Sequence, residues 1–146
     1  MNSPYSKPRK LKELDFECGF IQLLSQLTDI GDVSLSRFRQ TLNTLPSAIH
    51  VYVIENKNSG KVVATATLLV EQKFIHSCGS VGHIEDVVVA SEYRGRNLGR
   101  ILVQHLSHLA ESLGCYKTIL DCSSKFVPFY EKCGFSCKGS QMSVYY

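Results

Sequence analysis

Apolar residues change their spacing several times along the chain, and each change marks an element. Phe16, Phe20, Leu23, Leu24 and Leu27 recur at helical intervals and stop at Asp29–Gly31, which predicts an amphipathic helix. Ser34 stands where a cap is needed, ahead of Leu35, Phe38, Leu42 and Leu45, and Pro46 ends that second helix. The period falls to two over Ile49–Glu55; Asn56–Gly60 reads as a hairpin turn and Lys61–Ile75 as the returning strand. A loop over Ser77–Ser80 leads into a third long strand, Val81–Val89. Leu98, Ile101, Leu102, Leu106, Leu109 and Leu113 then form one helical stripe. Cys115–Asp121 reads as a strand, Phe126–Lys132 as a short helix and Gln141–Tyr145 as a last strand. Residues 1–10 are polar, basic and proline-containing, and are expected to fray as a flexible segment ahead of a single domain, 11–146. Two helices, a β-meander and then β-α-β-α-β predict an α/β fold, a mixed sheet with helices on both faces.

Composition narrows the class. A chain of 146 residues with 44% hydrophobic positions can bury one real core. The formal charge of +3 is mild and dispersed, so nucleic acid is not an expected partner, whereas small anionic ligands are compatible with it. No apolar run reaches membrane-spanning length and no signal-peptide core is present, so no membrane partner is expected. The expected setting is intracellular, cytoplasmic by default, with an organelle matrix left open. Six cysteines show neither C-x-x-C nor zinc-finger spacing, and no metal site is expected.

The densest chemistry lies in Val87–Arg100, VVVASEYRGRNLGR. A β-branched run ends in a polar turn, and a basic, glycine-containing loop then opens directly onto the long helix. Free N–H groups converge at such a helix start, where the helix dipole favours an anion. Arg94, Arg96 and Arg100 add charge, and Gly95 and Gly99 allow close backbone approach. A P-loop would need Gly-Lys-Ser/Thr here, and a dinucleotide fingerprint three glycines with a later acid; neither fits.

Arg94-x-x-Asn97-x-Gly99 resembles the Q/R-x-x-G-x-G/A signature of the GNAT acetyltransferase superfamily, with Asn97 in place of the first glycine. Asparagine is the non-glycine residue most tolerant of positive φ, so the turn can survive. Further segments are His83-Ile84-Glu85-Asp86, Lys73-Phe74-Ile75-His76, Leu27–Gly31, Tyr116-Lys117, Leu120-Asp121-Cys122 and Phe129–Phe135. Taken in this order from about Leu11 onward, the set resembles the glucosamine 6-phosphate N-acetyltransferase branch. The resemblance implies the GNAT fold, in which two splayed strands leave a cleft for acetyl-coenzyme A. It implies cofactor contacts from the backbone of Val87, Val88 and Val89, from Arg94, Gly95, Arg96, Asn97, Leu98, Gly99 and Arg100, and from Tyr130, Glu131 and Lys132. For the amino sugar it implies Thr28, Lys73, Phe74, Ile75, His76, Glu85, Asp86 and Asp121, with Tyr116 and Lys117 reaching in from a partner subunit. A homodimer with shared sites follows, as does a step feeding UDP-N-acetylglucosamine synthesis.

The residues carry their own argument beside the resemblance. Acetyl transfer to an amine needs a free nitrogen, an oriented thioester, oxyanion stabilisation and a proton for the thiolate. Glu85 and Asp86 are adjacent on a strand, so they should point to opposite faces, and an acid pair inside an apolar strand is costly to bury. Glu85 is assigned to the amine, as base directly or through water, and Asp86 to sugar hydroxyls. Tyr130 alone reads as a core tyrosine on an amphipathic helix. In its FYEKCGF setting it matches the phenol beside the departing sulfur, able to protonate or hydrogen-bond it. Asp121 completes the expected catalytic set. Two departures stand out: the branch's penultimate arginine is Tyr145, which supplies no charge, and the asparagine that often precedes the F-Y motif is Phe126. Readings that keep the fold but change the acceptor to a protein lysine or polyamine, or that make the chain a non-catalytic coenzyme A module, stay open at this point. A cysteine acyl-enzyme through Cys122 or Cys133 lacks an obvious histidine base.

Overall fold

The alternating segments assemble into one five-stranded sheet in the computed structural model, which describes residues 2–146. Strand order follows chain order: β1 (Arg9–Lys10), β2 (Ile49–Asn56), β3 (Lys61–Gln72), β4 (Ser80–Val89) and β5 (Cys115–Ile119). The first four pair antiparallel, and β5 lies parallel to β4, which requires a crossover. That crossover is α4 (Leu98–Ser112). Its stripe of Leu98, Leu102, Val103, Leu106 and Ala110 is buried with Ala64, Ala66, Leu68 and Ile84 of the sheet. A side chain at Gly82 would come 2.9 Å from the Ala110 Cβ, so glycine here lets α4 settle close onto β4. The opposite face carries α1 (Phe20–Leu24) and α2 (Leu35–Asn43), whose Phe20, Leu23 and Phe38 pack with Val53, Val62 and Val88. Ser34 caps α2 as expected, accepting from the Arg37 N–H at 3.1 Å.

Four local expectations change. The first helix is interrupted: a 3-10 turn covers Glu13–Phe16, and Gly19, at φ 90°, resets the chain before α1 begins. Strand β3 stops at Gln72 rather than Ile75, because the one-turn α3 (Ile75–Cys78) follows, with His76, Ser77 and Cys78 all at positive φ. Of the segment expected to be flexible, Met1 lies outside the described residues, and residues 4–10 are hydrogen-bonded to the sheet and to the turn after β2. Tyr5 bridges to Asn56, Ser6 donates to the Glu55 carbonyl, and Arg9–Lys10 pairs with β2. Arg9 there grips Asp15, whose side chain is 0% exposed, at 2.8 Å and Glu55 at 2.8 Å. A charge as buried as Asp15 is sustained only by such a partner, so the arm is tied to the core by electrostatics that apolar patterning does not reveal. Finally, Gln141–Tyr145 forms no strand. The tail pairs with no strand among the described residues, and Met142, Val144 and Tyr145 stay exposed. No helix among the described residues is long and apolar enough to cross a membrane.

Candidate active site

The parallel β4–β5 ladder runs from Ser80 opposite Cys115 to His83 opposite Ile119 and then stops. Beyond His83 the two strands part, and the β4 edge of Ile84–Val89 that faces away from β3 has no strand partner among the described residues. A cleft of about 390 Å3 opens at the parting, walled by Ile84, Glu85, Asp86 and Val87 on one side and Asp121, Cys122 and Ser123 on the other. Leu27, Thr28, Phe126 and Tyr130 complete its lining.

The acid pair departs from the expected arrangement. Asp86 takes φ 52°, and the β3–β4 register slips beside it: Thr65 faces Val88, yet Thr67 faces Glu85. Two β4 residues share the space opposite one β3 residue, which is a β-bulge. The alternation therefore fails at this point: Glu85 and Asp86, both exposed, line the same cleft, and Asp86 also borders the cavity beneath α1 and α2. The bulge also shifts the downstream parity, so that Val87 and Val89 lie with Ile84 against the α4-side core while Val88 joins the other. Partial desolvation pushes the Glu85 carboxyl above the usual carboxylate range; the negative charges of Asp121 and then Asp86 add to this, and His83 opposes it.

After β4 a 3-10 turn over Ser91–Tyr93 leads into the basic loop. Gly95 (φ 75°) and Asn97 (φ 68°, ψ 6°) are left-handed, so asparagine does fill the glycine's conformational role. No backbone N–H from Gly95 to Arg100 finds an acceptor among the described residues, while Ile101 already bonds back to Asn97 at 3.0 Å. Six consecutive free donors at the positive end of a fifteen-residue helix are an arrangement suited to an anion. Gly99 is needed for packing, since a Cβ would meet Phe129 at 3.3 Å and Val89 at 3.4 Å. Arg94 reaches back to donate to the Val89 carbonyl at 3.2 Å, bracing the loop against β4. Arg100 lies exposed in the first turn, and its charge counteracts the burial that raises the Cys133 thiol.

Tyr130 projects from α5 (Val127–Lys132), edge-on to Phe129 at 4.9 Å and to Phe135 at 6.3 Å. Burial lifts its phenol to about 12, with smaller contributions from the Cys122 and Cys133 sulfurs and Asp121. Glu131 and Lys132 are exposed on the same helix and do not line the cleft. Cys122 does, but no histidine lines the cleft with it. For Cys133 the raised thiol is the reverse of an activated nucleophile.

The remaining expected residues gather elsewhere. Lys73, Phe74, Ile75 and His76 form the knuckle after β3, with His76 stacked on Tyr116 at 4.1 Å and Lys117 beside that ring. This knuckle sits at the Ser80 end of β4, five residues from Glu85, and does not line the cleft. Phe74 is 93% exposed. Lys73 is engaged by Glu71 at 2.6 Å, and Glu71 also meets His83, which together hold the Glu71 carboxyl below its ordinary range. Among the described residues no three metal-ligating side chains come together. Sequence reasoning did not pick out Tyr5, whose hydroxyl accepts from Arg96 at 2.6 Å, or the Glu71–His83 pair. Tyr5 and Glu71 lie outside the quoted segments, and neither a tyrosine in a polar arm nor a glutamate near a strand end gives any signal of its distant partner.

The description of the acetyltransferase (GNAT) family matches residues 13–135. The chain is 48% identical over 143 residues to the glucosamine 6-phosphate N-acetyltransferase of Arabidopsis thaliana, covering 96% of each sequence. It is also 48% identical over 137 residues to the Candida albicans enzyme of that name, covering 92% of this chain and 91% of that one. The crystal structure of the Arabidopsis enzyme superposes with a TM-score of 0.94 at 46% identity, over 97% of this chain and 98% of that one. An acetyltransferase from Trypanosoma brucei superposes at 0.91 with 37% identity, over 97% of this chain and 99% of that one.

Proposed function

The chain belongs to the acetyltransferase (GNAT) family, and on that premise we propose that it acetylates the 2-amino group of D-glucosamine 6-phosphate with acetyl-coenzyme A. The products are N-acetyl-D-glucosamine 6-phosphate and coenzyme A, a step toward UDP-N-acetylglucosamine. One observation carries the reading: Glu85, Asp121 and Tyr130 face a single cleft whose open strand edge leads to the free donors of Gly95–Arg100, which we read as a diphosphate cradle. A thioester anchored at Gly95–Arg100 can lie along Val87–Val89, pairing with unpartnered backbone as an added strand does. Glu85 then takes a proton from the amine, directly or through a water, Asp86 and Asp121 hold sugar hydroxyls, and Tyr130 meets the sulfur as it leaves. A β4 backbone N–H near Val87 is the donor available to the oxyanion.

An acceptor panel that reads free thiol release tests this. The 6-phosphorylated amino sugar is expected to outpace glucosamine, polyamines and lysine peptides by at least about tenfold, since a charged phosphate contact contributes about 1.5–3 kcal/mol. Comparable rates on a lysine peptide assign a protein acceptor instead, and binding of acetyl-coenzyme A with no thiol release on any acceptor assigns a non-catalytic module.

The same reading includes a homodimer. The knuckle, with Tyr116 and Lys117, lies too far along β4 to serve its own cleft, and the apolar tail has no cover of its own, Tyr145 being 93% exposed. A second copy supplies both needs: its tail can pair, and its Tyr116–Lys117 can reach the sugar phosphate. Lys117 is the cation that best offsets the neutral Tyr145, because Lys73 is committed to Glu71 while Lys117 has no carboxylate partner among the described residues. Sedimentation equilibrium is expected to give twice the 16.3 kDa chain mass; a monomer at assay concentration would remove this part of the proposal.

A further inference from the structure

We infer that Tyr5, in the amino-terminal arm, is a positioning residue for the diphosphate loop, holding the Arg96 guanidinium ready for coenzyme A. The inference rests on reading Gly95–Arg100 as the cofactor's phosphate site, and goes beyond it by assigning a role to a segment outside the motif. Ninety-one positions separate the two residues, yet the Arg96 Nη1 donates to the Tyr5 Oη at 2.6 Å. The Arg96 Nη2 donates to the Glu92 carbonyl at 3.3 Å, and the guanidinium lies over the Tyr93 ring, 5.2 Å from its centroid. Tyr5 meets that same ring edge-on, at 6.1 Å and 89°. The clasp is itself anchored: Asn56 Nδ2 donates to the Tyr93 hydroxyl at 3.2 Å, and Tyr5 bridges in strand fashion to Asn56.

An exposed arginine samples many rotamers and loses that freedom when it grips an anion. Arg96 is held by the protein's own groups. Of the five N–H donors of a guanidinium, two are spent on this scaffold, which leaves three for a phosphate beside the unpaired backbone donors of the loop. The phenol suits the task because it is neutral. A carboxylate at the same place would compete with the phosphate for the guanidinium; a hydroxyl orients it without cancelling its charge. Contacts on both sides of Tyr5 tie the arm down and keep it in reach: Ser6 N–H to the Glu55 carbonyl at 2.8 Å, Lys57 N–H to the Pro4 carbonyl at 2.8 Å, and the paired bonds of Arg9 to Asp15.

The test is a double-mutant cycle on the full chain, with coenzyme A affinity read by calorimetry and KM and kcat read by thiol release. Tyr5→Phe removes the hydroxyl but keeps the ring against Tyr93. It is expected to weaken coenzyme A about three- to tenfold, a positioning loss smaller than that of a direct hydrogen bond to a charged group. The loss should fall on KM for acetyl-coenzyme A and not on KM for the amino sugar. In an Arg96→Ala background the same change should cost nothing more. Equal affinity for Tyr5→Phe and the parent overturns the inference, and so does an undiminished loss on top of Arg96→Ala. A loss shared by kcat and melting temperature assigns Tyr5 to the scaffold alone and overturns it too. If the parent chain itself gives no heat with coenzyme A, the reading of the loop fails first, and this inference fails with it.

Discussion

Replacing Glu85 by glutamine is expected to lower kcat about a hundred- to ten-thousandfold, the range that a positioned general base contributes. The amide keeps the shape and the hydrogen-bonding reach of the side chain but cannot take a proton from the ammonium. The environment gives this prediction its pH dependence. Desolvation, and then the charges of Asp121 and Asp86, hold the Glu85 carboxyl above the ordinary carboxylate range, so its base form fades at a higher pH than a solvated glutamate's would. In the parent, kcat/KM should fall as pH drops through that raised value. The fall belongs to the enzyme, and Glu85→Gln should erase it, whereas any limb set by the substrate ammonium must persist in both. Stability moves the other way. A carboxyl whose folded-state pKa is raised penalises the native state at pH above that value, and the penalty vanishes as pH falls through it. At pH 7 the glutamine variant loses two like-charge repulsions and should melt no lower than the parent. A kcat within about threefold of the parent, with the acid limb intact, would remove Glu85 from the role.

How much of this was legible beforehand depends on how local each signal is. The loop and α4 were readable because six residues set the turn and the helix stripe is periodic; Asn97 needed only its own tolerance of positive φ, and it sits at 68°. The acid pair was visible as an anomaly within an apolar strand, but its orientation was not. A bulge at Asp86 is a property of two strands in register, and nothing in HIEDVVV announces the slip between Thr65 and Thr67. The arm is a similar case. Residues 1–10 look like a solvated leader until Arg9 meets the buried Asp15 and Tyr5 meets Arg96, contacts that exist only once the chain has closed on itself. Gly19 could have warned of a break in the first helix, but glycine tolerates a helix interior at a cost of about 1 kcal/mol, so one glycine among well-spaced apolar residues does not decide it. The terminal strand failed for another reason. Its pattern over Gln141–Tyr145 is sound, but alternation does not say which edge a segment pairs with, and within one chain Met142, Val144 and Tyr145 are left exposed.

Replacing Tyr130 by phenylalanine is expected to slow thiol release about ten- to a hundredfold while leaving coenzyme A affinity nearly unchanged. The magnitude follows from what a phenol at about 12 can do. A thiol in the ordinary range near 8.5 is the stronger acid of the two, so handing the proton fully from Tyr130 to a thiolate runs uphill by about three units. Of the two roles open to Tyr130, burial therefore favours hydrogen-bond donation to the sulfur as charge develops, with the phenol keeping its proton and solvent completing the thiol. One hydrogen bond to a charged partner contributes about 1.5–3 kcal/mol, which sets the expected range. Because the donor stays protonated far above working pH, it should add no basic limb of its own below about pH 11, and Tyr130→Phe should keep the acid limb set by Glu85. The ring contacts with Phe129 and Phe135 survive the substitution, so the fold and the cradle stay in place. Stopped-flow release of thiol at saturating acetyl-coenzyme A, paired with calorimetry on coenzyme A, separates the possibilities. Full turnover with much weaker cofactor binding would make Tyr130 a wall of the cleft, and the leaving sulfur would then need another donor.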